Sequence, residues 1–488
     1  MTDIILTRIY HSLEEEFGYF SKFGYVEISN GICWLGAVVR QNNYNIEIVD
    51  ALPLKLNNDE LAKLIVEKSP KYVGITACSI DIFSASDFAM KLKSLSPDII
   101  TLIGGAHITA VPRETMERFP AFDIGIIGEG EDTIIDLLDT LAGRNSKDLS
   151  EVEKIIYRDN GKIILTNTLR PMVDLDSLPL PAWDLLPDIR KYYFAPPWTM
   201  HSGKTATIIT SRGCPYQCIY CDRKIFGNKV RFHSAEYVLD MIKELHSKYG
   251  ILHFRIADDN YIVNKKRLKK LCDLIKKENL EISWSCLARV DSIDTESMVM
   301  MKDAGCWSIA FGIETGSQKI HDFEKKKISL EKIESAVKLT RKAGIRTIGF
   351  NIIGHPLETV ETIKETIRFN KKIKIDDSKT QFMVPFPGSE LYHMAEKYGT
   401  FKKDWKNMSV FSEPVFIPHG FTKEELIKWN KKSFRSFYFQ PRIIFSYLTQ
   451  VRSVAEIKVI IIGGFTLIGW KIKELFKSLS FQYTVRGQ

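Results

Sequence analysis

The chain has 488 residues, 44% of them hydrophobic and 26% charged. That length exceeds one ordinary core and points to two to four domains of ~100–200 residues, while the composition excludes collagen-like, disordered and coiled-coil classes. The net charge of +8 is split unevenly: residues 1–200 hold 19 Lys/Arg against 29 Asp/Glu, so an acidic front precedes a basic back. A basic half either attracts nucleic acid, anionic lipid or a phosphorylated substrate, or presents solvated helix faces.

Residues 1–145 alternate short apolar runs with amphipathic stretches. Strands are predicted at Asp3–Arg8, Asn45–Asp50, Tyr72–Ala77, Ile99–Ile103 and Asp123–Ile127, and helices at Ile32–Gln41, Asp59–Ser69, Ile82–Ser94 and Glu131–Leu141. Strands spaced by helices imply a parallel sheet with crossovers, a doubly wound α/β domain whose ligands sit at the carboxyl ends of the strands. Residues 146–200 are read as a linker, with a small hairpin around Asp159-Asn160-Gly161 and restricted backbone at Leu178–Pro181 and Ala195–Trp198. From 201 to 400 the rhythm returns. Six strands (Ala206–Thr210, His253–Ala257, Ile282–Cys286, Trp307–Gly312, Thr347–Ile353, Thr380–Val384) alternate with helices (Glu236–Tyr249, Lys266–Glu278, Thr295–Ala304, Ser329–Ala343, Val360–Lys371), as in a barrel or part of one. Residues 401–488 are expected to be helical.

The N-terminus lacks a basic segment followed by a long apolar stretch, so no targeting peptide is expected and the reading is cytoplasmic. The longest apolar run, Val459–Trp470, has twelve residues between Lys458 and Lys471. A bilayer span needs ~20, which leaves a buried element or a peripheral membrane contact.

Three of the eight cysteines crowd one segment: Cys214, Cys218 and Cys221, in Ser211-Arg212-Gly213-Cys214-Pro215-Tyr216-Gln217-Cys218-Ile219-Tyr220-Cys221. Such clustering reads as metal ligation rather than disulfide bonding. Three thiolates on one loop can bind three irons of a [4Fe–4S] cube, leaving the fourth open, and an open position marks a catalytic metal site. Cys33, Cys78, Cys272, Cys286 and Cys306 are scattered in mostly apolar settings and read as buried thiols, with Cys286 at a strand end.

This Cys-x3-Cys-x2-Cys loop after the first strand of a six-strand partial barrel resembles the radical S-adenosylmethionine (SAM) superfamily. Further segments share the resemblance: Ala257-Asp258-Asp259-Asn260, Ser283–Asp291, Phe311–Ser317, Gly349–Thr359 and Pro385–Ser389. So does the front, through Gly104-Gly105-x-His107-x-Thr109, Gly128-Glu129-Gly130-Glu131 and Leu178-Pro179-x-Pro181-Ala182-Trp183-Asp184, which looks like the cobalamin-binding branch. The resemblance implies a flavodoxin- or Rossmann-like cobalamin-binding domain, a partial (β/α)6 radical SAM barrel and a helical C-terminal region. It implies Cys214, Cys218 and Cys221 as cluster ligands. It places Tyr220, Asp258, Arg289, Glu314 and Gly354 around SAM, and Thr76, Ser79, Gly104, Gly105, His107, Thr109, Gly128, Glu129 and Gly130 around cobalamin.

The residues themselves leave alternatives open. Tyr220 packs beside the adenine or anchors the loop. Asp258 holds the methionine ammonium or caps a turn. Glu314 meets the ribose or pairs with Arg289. Arg212 pairs with an anion or caps the loop, and His107 contacts the cofactor or is a structural histidine. No histidine has an aspartate two residues before it, so the Asp-x-His-x-x-Gly route to an axial cobalt ligand is absent.

The leading functional expectation is a cobalamin-dependent radical SAM methyltransferase. It would cleave SAM reductively and methylate an unactivated carbon of a small-molecule or lipid-like substrate, with an external electron donor such as flavodoxin or ferredoxin and without nucleic acid. The alternatives are a radical cyclase or rearrangement enzyme of the same branch, and a tRNA methylthiotransferase. The last needs three more cysteines in the front domain, where only Cys33 and Cys78 precede Cys214. A non-enzymatic cobalamin-responsive module is opposed by the intact cysteine triad.

Overall fold

The computed structural model describes residues 2–450 apart from 19–20, 22–23, 168–171 and 197–203. The apolar run Val459–Trp470 therefore lies outside the described residues, and none of the helices described is long and apolar enough to cross a membrane.

The front sheet contains β1 (Ile4–Arg8), β2 (Ile46–Asp50), β3 (Tyr72–Thr76), β4 (Ile100–Gly104), β5 (Ile124–Ile126), β6 (Ile155–Asp159) and β7 (Lys162–Leu165), ordered 2-1-3-4-5-6-7. Strands 2-1-3-4-5 are parallel, in the flavodoxin-like order, which puts the topological switch point between β1 and β3. The hairpin in segment 146–200 is β6–β7, and it continues this sheet antiparallel to β5.

The second sheet is built from β8 (Thr205–Ile208), β11 (His253–Ile256), β12 (Ser283–Ala288), β13 (Cys306–Glu314), β14 (Arg346–Ile353) and β15 (Asp377–Phe382), all parallel and in chain order. A short ribbon, β9 (Ser211–Arg212) with β10 (Arg231–Phe232), follows β8. Sequential parallel order with a helix after each strand gives an open six-stranded barrel. The turn chemistry is written in the sequence. Side chains of Ser234, Asn264, Asp294, Ser329 and Thr359 each cap the N-terminus of a barrel helix, and Thr422 caps the later helix Lys423–Tyr438, a contact worth ~1 kcal/mol apiece. Ala206, Ile208, Phe254 and Ile256 face the helical layer and its core. Alternation turns Thr205, Thr207, His253 and Arg255 to the opposite, polar face. Glu27, from the loop after β1, reaches that face and accepts from Arg255 Nη1 at 2.8 Å.

The C-terminal region, expected to be helical, opens with a short strand pair before its helices. Residues 399–418 include a two-stranded antiparallel pair, β16 (Gly399–Phe401) and β17 (Phe416–Pro418), and among the described residues that follow, α-helices run from Lys423–Tyr438 and Pro441–Gln450. Gly399, Pro414, Pro418 and Gly420 break helix there, and Val415, Phe416 and Ile417 suit a strand. This segment bridges the two domains. Trp405, Leu391 and Phe416 share one core with Ile5 and Ala77 of the front sheet and Ile219 of the cysteine loop.

Candidate functional site

The cysteines lie on a loop closed by the β9–β10 stem, where Arg212 faces Arg231 and Ser211 faces Phe232. Gly213 opens the loop at φ +93°, and a Cβ there would sit 2.5 Å from the Lys229 carbonyl oxygen, so only glycine fits. Two backbone bonds fix the loop's far side: Ile219 N–H donates to the Glu324 carbonyl at 3.2 Å, and Leu391 N–H donates to the Ile219 carbonyl at 2.8 Å. All three thiols are free, with Cys218 buried, Cys214 half-buried and Cys221 exposed. The hydrogen bond with Cys221 pushes the Cys218 thiol down to about 6. Burial opposes that change, while Lys326 and Arg289 assist it. The same hydrogen bond raises the Cys221 thiol, and burial raises Cys214.

Among the described residues, no three His, Cys, Asp or Glu side chains converge as a single metal ion would need. Thiols on a cube each take a different iron, so they need not converge. The donor set fits a cluster with one open iron.

The carboxyl ends of the barrel strands surround this loop. Glu314 ends β13 at φ +60°. Its Oε1 accepts from Lys326 Nζ at 2.6 Å, and Lys326 also donates to the Tyr220 hydroxyl at 3.2 Å. The pair lies over Gly312, where a Cβ would be 2.3 Å from Glu314 Oε1. Lys326 is buried; burial opposes its charge, but Glu314 and the thiolates outweigh that and raise its pKa. The partner of Glu314 is thus Lys326. Arg289 instead lies 3.5 Å over the Tyr216 ring, pairs with Asp291 at 3.0 Å and donates to the Lys326 carbonyl. Asp258 is buried and accepts from Thr210 N on Oδ1 and from Thr210 Oγ1 and Ser211 Oγ on Oδ2, each at 2.6 Å. Its neighbour Asp259 is exposed. Burial among neighbouring atoms and the nearby Asp258 raise the Asp259 pKa, against a bond from the Gly213 N–H. Gly354 turns at φ +93° after β14, with its N–H on Glu358. Asp222, beside Cys221, lies over Gly388 of the loop after β15. Lys326 and Asp259 also border the cysteine loop, although the sequence does not single them out: Asp259 lies within Ala257–Asn260, and Lys326 sits in the run Lys325-Lys326-Lys327, which resembles any solvated basic patch.

At the carboxyl edge of the front sheet, Thr76 ends β3 beside the switch point and Gly104 ends β4 next to it. A Cβ on Gly104 would meet nothing within 4 Å, whereas Gly105 (φ +99°) packs 2.8 Å from the Ala77 carbonyl. The first leaves bare backbone facing open space, and the second locks the turn. Thr109 Oγ1 donates to the Gly105 carbonyl at 2.8 Å and accepts the Gly128 N–H at 2.9 Å. These loop ends fit a large planar cofactor lying against backbone. Other candidates are occupied elsewhere. His107 is buried, shares a 3.0 Å bond with Ser79 Oγ and meets Trp405 edge-on at 4.4 Å. Burial and Arg118 push it down to about 4. Glu129 spends both carboxylate oxygens on Arg212 and Arg231. His11, beyond β1, has its ring nitrogens on Asp81 and Glu16 at 2.8 and 2.9 Å.

Residues 208–369 match the radical SAM superfamily, and residues 18–138 match the B12 binding domain. An uncharacterized methyltransferase of Pyrococcus horikoshii is 33% identical over 417 residues, covering 85% of this chain and 88% of the relative. The chain belongs to the cobalamin-binding radical SAM family. This radical SAM enzyme is also similar to the anaerobic magnesium-protoporphyrin IX monomethyl ester cyclase of Rubrivivax gelatinosus, at 27% identity over 85% of this chain and 74% of the relative. Its fold matches the cobalamin-dependent S-adenosylmethionine radical enzyme OxsB with aqua-cobalamin and S-adenosylmethionine bound, at TM-score 0.72 and 18% identity, over 94% of this chain and 70% of that one. Family membership brings SAM, a [4Fe–4S] cluster and cobalamin as its cofactors.

Proposed function

We propose that this chain methylates an unactivated carbon of a small-molecule or lipid-like substrate. The observation that carries this reading is the meeting of the two cofactor regions. Glu129, in the Gly128–Gly130 loop of the front domain, accepts from both Arg212 and Arg231, the two sides of the stem that closes the cysteine loop. When bound, the reduced cluster with SAM supplies a 5′-deoxyadenosyl radical, and cobalamin supplies the methyl group.

The chain's own residues bind, orient and exclude water. Cys214, Cys218 and Cys221 hold the cluster. Asp259, beside Gly213, suits the ammonium of SAM, and Lys326 suits its carboxylate. Tyr220, Glu314, Arg289 and Gly354 frame the same space, while Asp258 fixes the turn at Thr210–Ser211. Thr76, Gly104, Gly105, Thr109, Gly128 and Gly130 present backbone and hydroxyl groups to cobalamin, with Ser79 and His107 behind them. Residues 383–416, packed on both domains, keep water from the gap between the cofactors.

A second reading, radical cyclisation, is favoured by the likeness to the cyclase. Anaerobic turnover with methyl-labelled SAM, a flavodoxin or ferredoxin and candidate substrates separates them. The proposal expects 5′-deoxyadenosine and a labelled product heavier by one methylene. An unlabelled product lighter by two hydrogens would favour cyclisation.

A further inference from the structure

Arg212 and Arg231 stand directly opposite each other in the stem that closes the cysteine loop. Like charges at such positions destabilise a strand pair. One carboxylate answers both. Glu129 Oε2 accepts from Arg212 Nη1 at 2.7 Å, and Oε1 accepts from Arg231. Glu131 takes the other arm of Arg212 at 2.6 Å, and Arg231 also donates to the Val173 carbonyl at 2.8 Å. The Arg212, Glu129 and Glu131 side chains are at most 5% exposed. Two cations and two anions thus balance in a nearly dry contact, where removing one partner is costly.

The carboxylate and the stem belong to different domains. Glu129 lies on the loop after β5, whose Gly128 N–H bonds Thr109, which in turn bonds Gly105. On the other side, Arg212 precedes Gly213 and Cys214. Bonds and chain therefore run without a break from the proposed cobalamin loops to a cluster ligand.

We propose that Glu129 is a positioning residue for the cluster rather than a cobalamin contact: it pins both ends of the cysteine loop and couples binding at the two cofactor sites. This inference rests on the two-cofactor reading above. Coupling between sites is reciprocal, so SAM on the cluster changes corrinoid affinity by the same factor that corrinoid changes SAM affinity.

The test uses the full chain, reconstituted anaerobically with iron and sulfide. Hydroxocobalamin affinity is measured by absorbance with and without SAM, and iron release to a chelator is followed in parallel. In the unaltered chain SAM shifts the corrinoid affinity by roughly 5- to 150-fold, the usual span of site-to-site coupling. In Glu129→Gln that factor falls towards one and iron is released faster. Adding Arg231→Met removes the opposed cation and restores slow iron release without restoring the coupling; if Glu129→Gln alone does not fold, this double variant is the one measured. A wild-type coupling factor in either variant, or no coupling in the unaltered chain, overturns the proposal. If the unaltered chain binds no corrinoid, the two-cofactor reading fails instead. The iron-release arm still decides whether Glu129 positions the loop, and unchanged release in Glu129→Gln overturns that claim.

Discussion

Replacing His355 with glutamine is expected to remove a pH-dependent share of the stability that supports the cysteine loop. His355 is fully buried after β14, with Nδ1 on Glu324 Oε1 at 2.6 Å and Nε2 on the Ile352 carbonyl at 3.1 Å. Burial disfavours a charged ring, but Glu324, then Glu358 and Glu314, outweigh it and raise the pKa from the ordinary 6.5 to about 9. The folded chain therefore keeps a proton that the unfolded chain releases above pH 6.5. The stabilisation is complete below pH 6.5, declines above it and is gone beyond about pH 9. At ~1.4 kcal/mol per pH unit, that rise amounts to roughly 3 kcal/mol. Losing the cation at neutral pH strands the Glu324 carboxylate, at a cost of ~3–5 kcal/mol. The assay is thermal or denaturant unfolding of the original chain and His355→Gln between pH 6 and 10. The stability difference between them is expected to be largest at pH 6–6.5 and nearly absent at pH 10. Because the backbone carbonyl of Glu324 accepts the Ile219 N–H, loosening of the Glu324 side chain is expected to weaken iron retention in the original chain over the same window. A difference that stays constant across the window would refute the reasoning.

Lys326→Met removes the buried cation between Glu314 and Tyr220. SAM affinity, measured by calorimetry on cluster-loaded protein, is expected to fall at least roughly tenfold, the cost of one charge-assisted contact, with iron content retained. Gly213→Ala forces a Cβ against the Lys229 carbonyl at positive φ. The strain of ~1–3 kcal/mol is expected to appear as poor iron loading rather than as a loss of overall helix content by circular dichroism. Gly104→Leu fills the open space at the end of β4. Its melting temperature is expected to stay near that of the original chain while hydroxocobalamin binding is lost. Undiminished binding would mean that the corrinoid does not lie over β4.

The parallel sheets were legible in the sequence because their strands are buried on both faces and their helices carry local signals. Runs such as Ile4–Leu6 and Ile99–Ile103 are apolar (Thr101 excepted), and caps such as Ser234 and Thr359 announce the helix starts. The order of the strands was not written locally. It depends on which strands pair across long separations, as β1 does with both β2 and β3. The hairpin at 399–418 escaped notice because its strands are three residues long, too short for periodicity to register. The cysteine triad was legible because its chemistry is local, three like ligands on one loop. Lys326, Asp259 and the Glu129–Arg212–Arg231 bridge were not, because each depends on which distant segments the fold brings together. Asp258, for which the sequence leaves a ligand contact and a turn cap open, accepts from Thr210 and Ser211. The basic excess of the back half also proved partly ordinary: Lys266, Lys269, Lys270 and Lys277 line the outer face of helix Lys265–Lys277.

The central claim is that one chain holds both cofactors, with Cys214, Cys218 and Cys221 as the cluster ligands. Iron and corrinoid content per chain, measured after anaerobic reconstitution with iron, sulfide and hydroxocobalamin and removal of unbound material, tests it most directly. About four irons and one corrinoid are expected in the original chain, and in Cys218→Ala the iron is expected to be lost while the corrinoid remains. A folded chain that retains its full iron without Cys218, or that retains no corrinoid, would contradict the account.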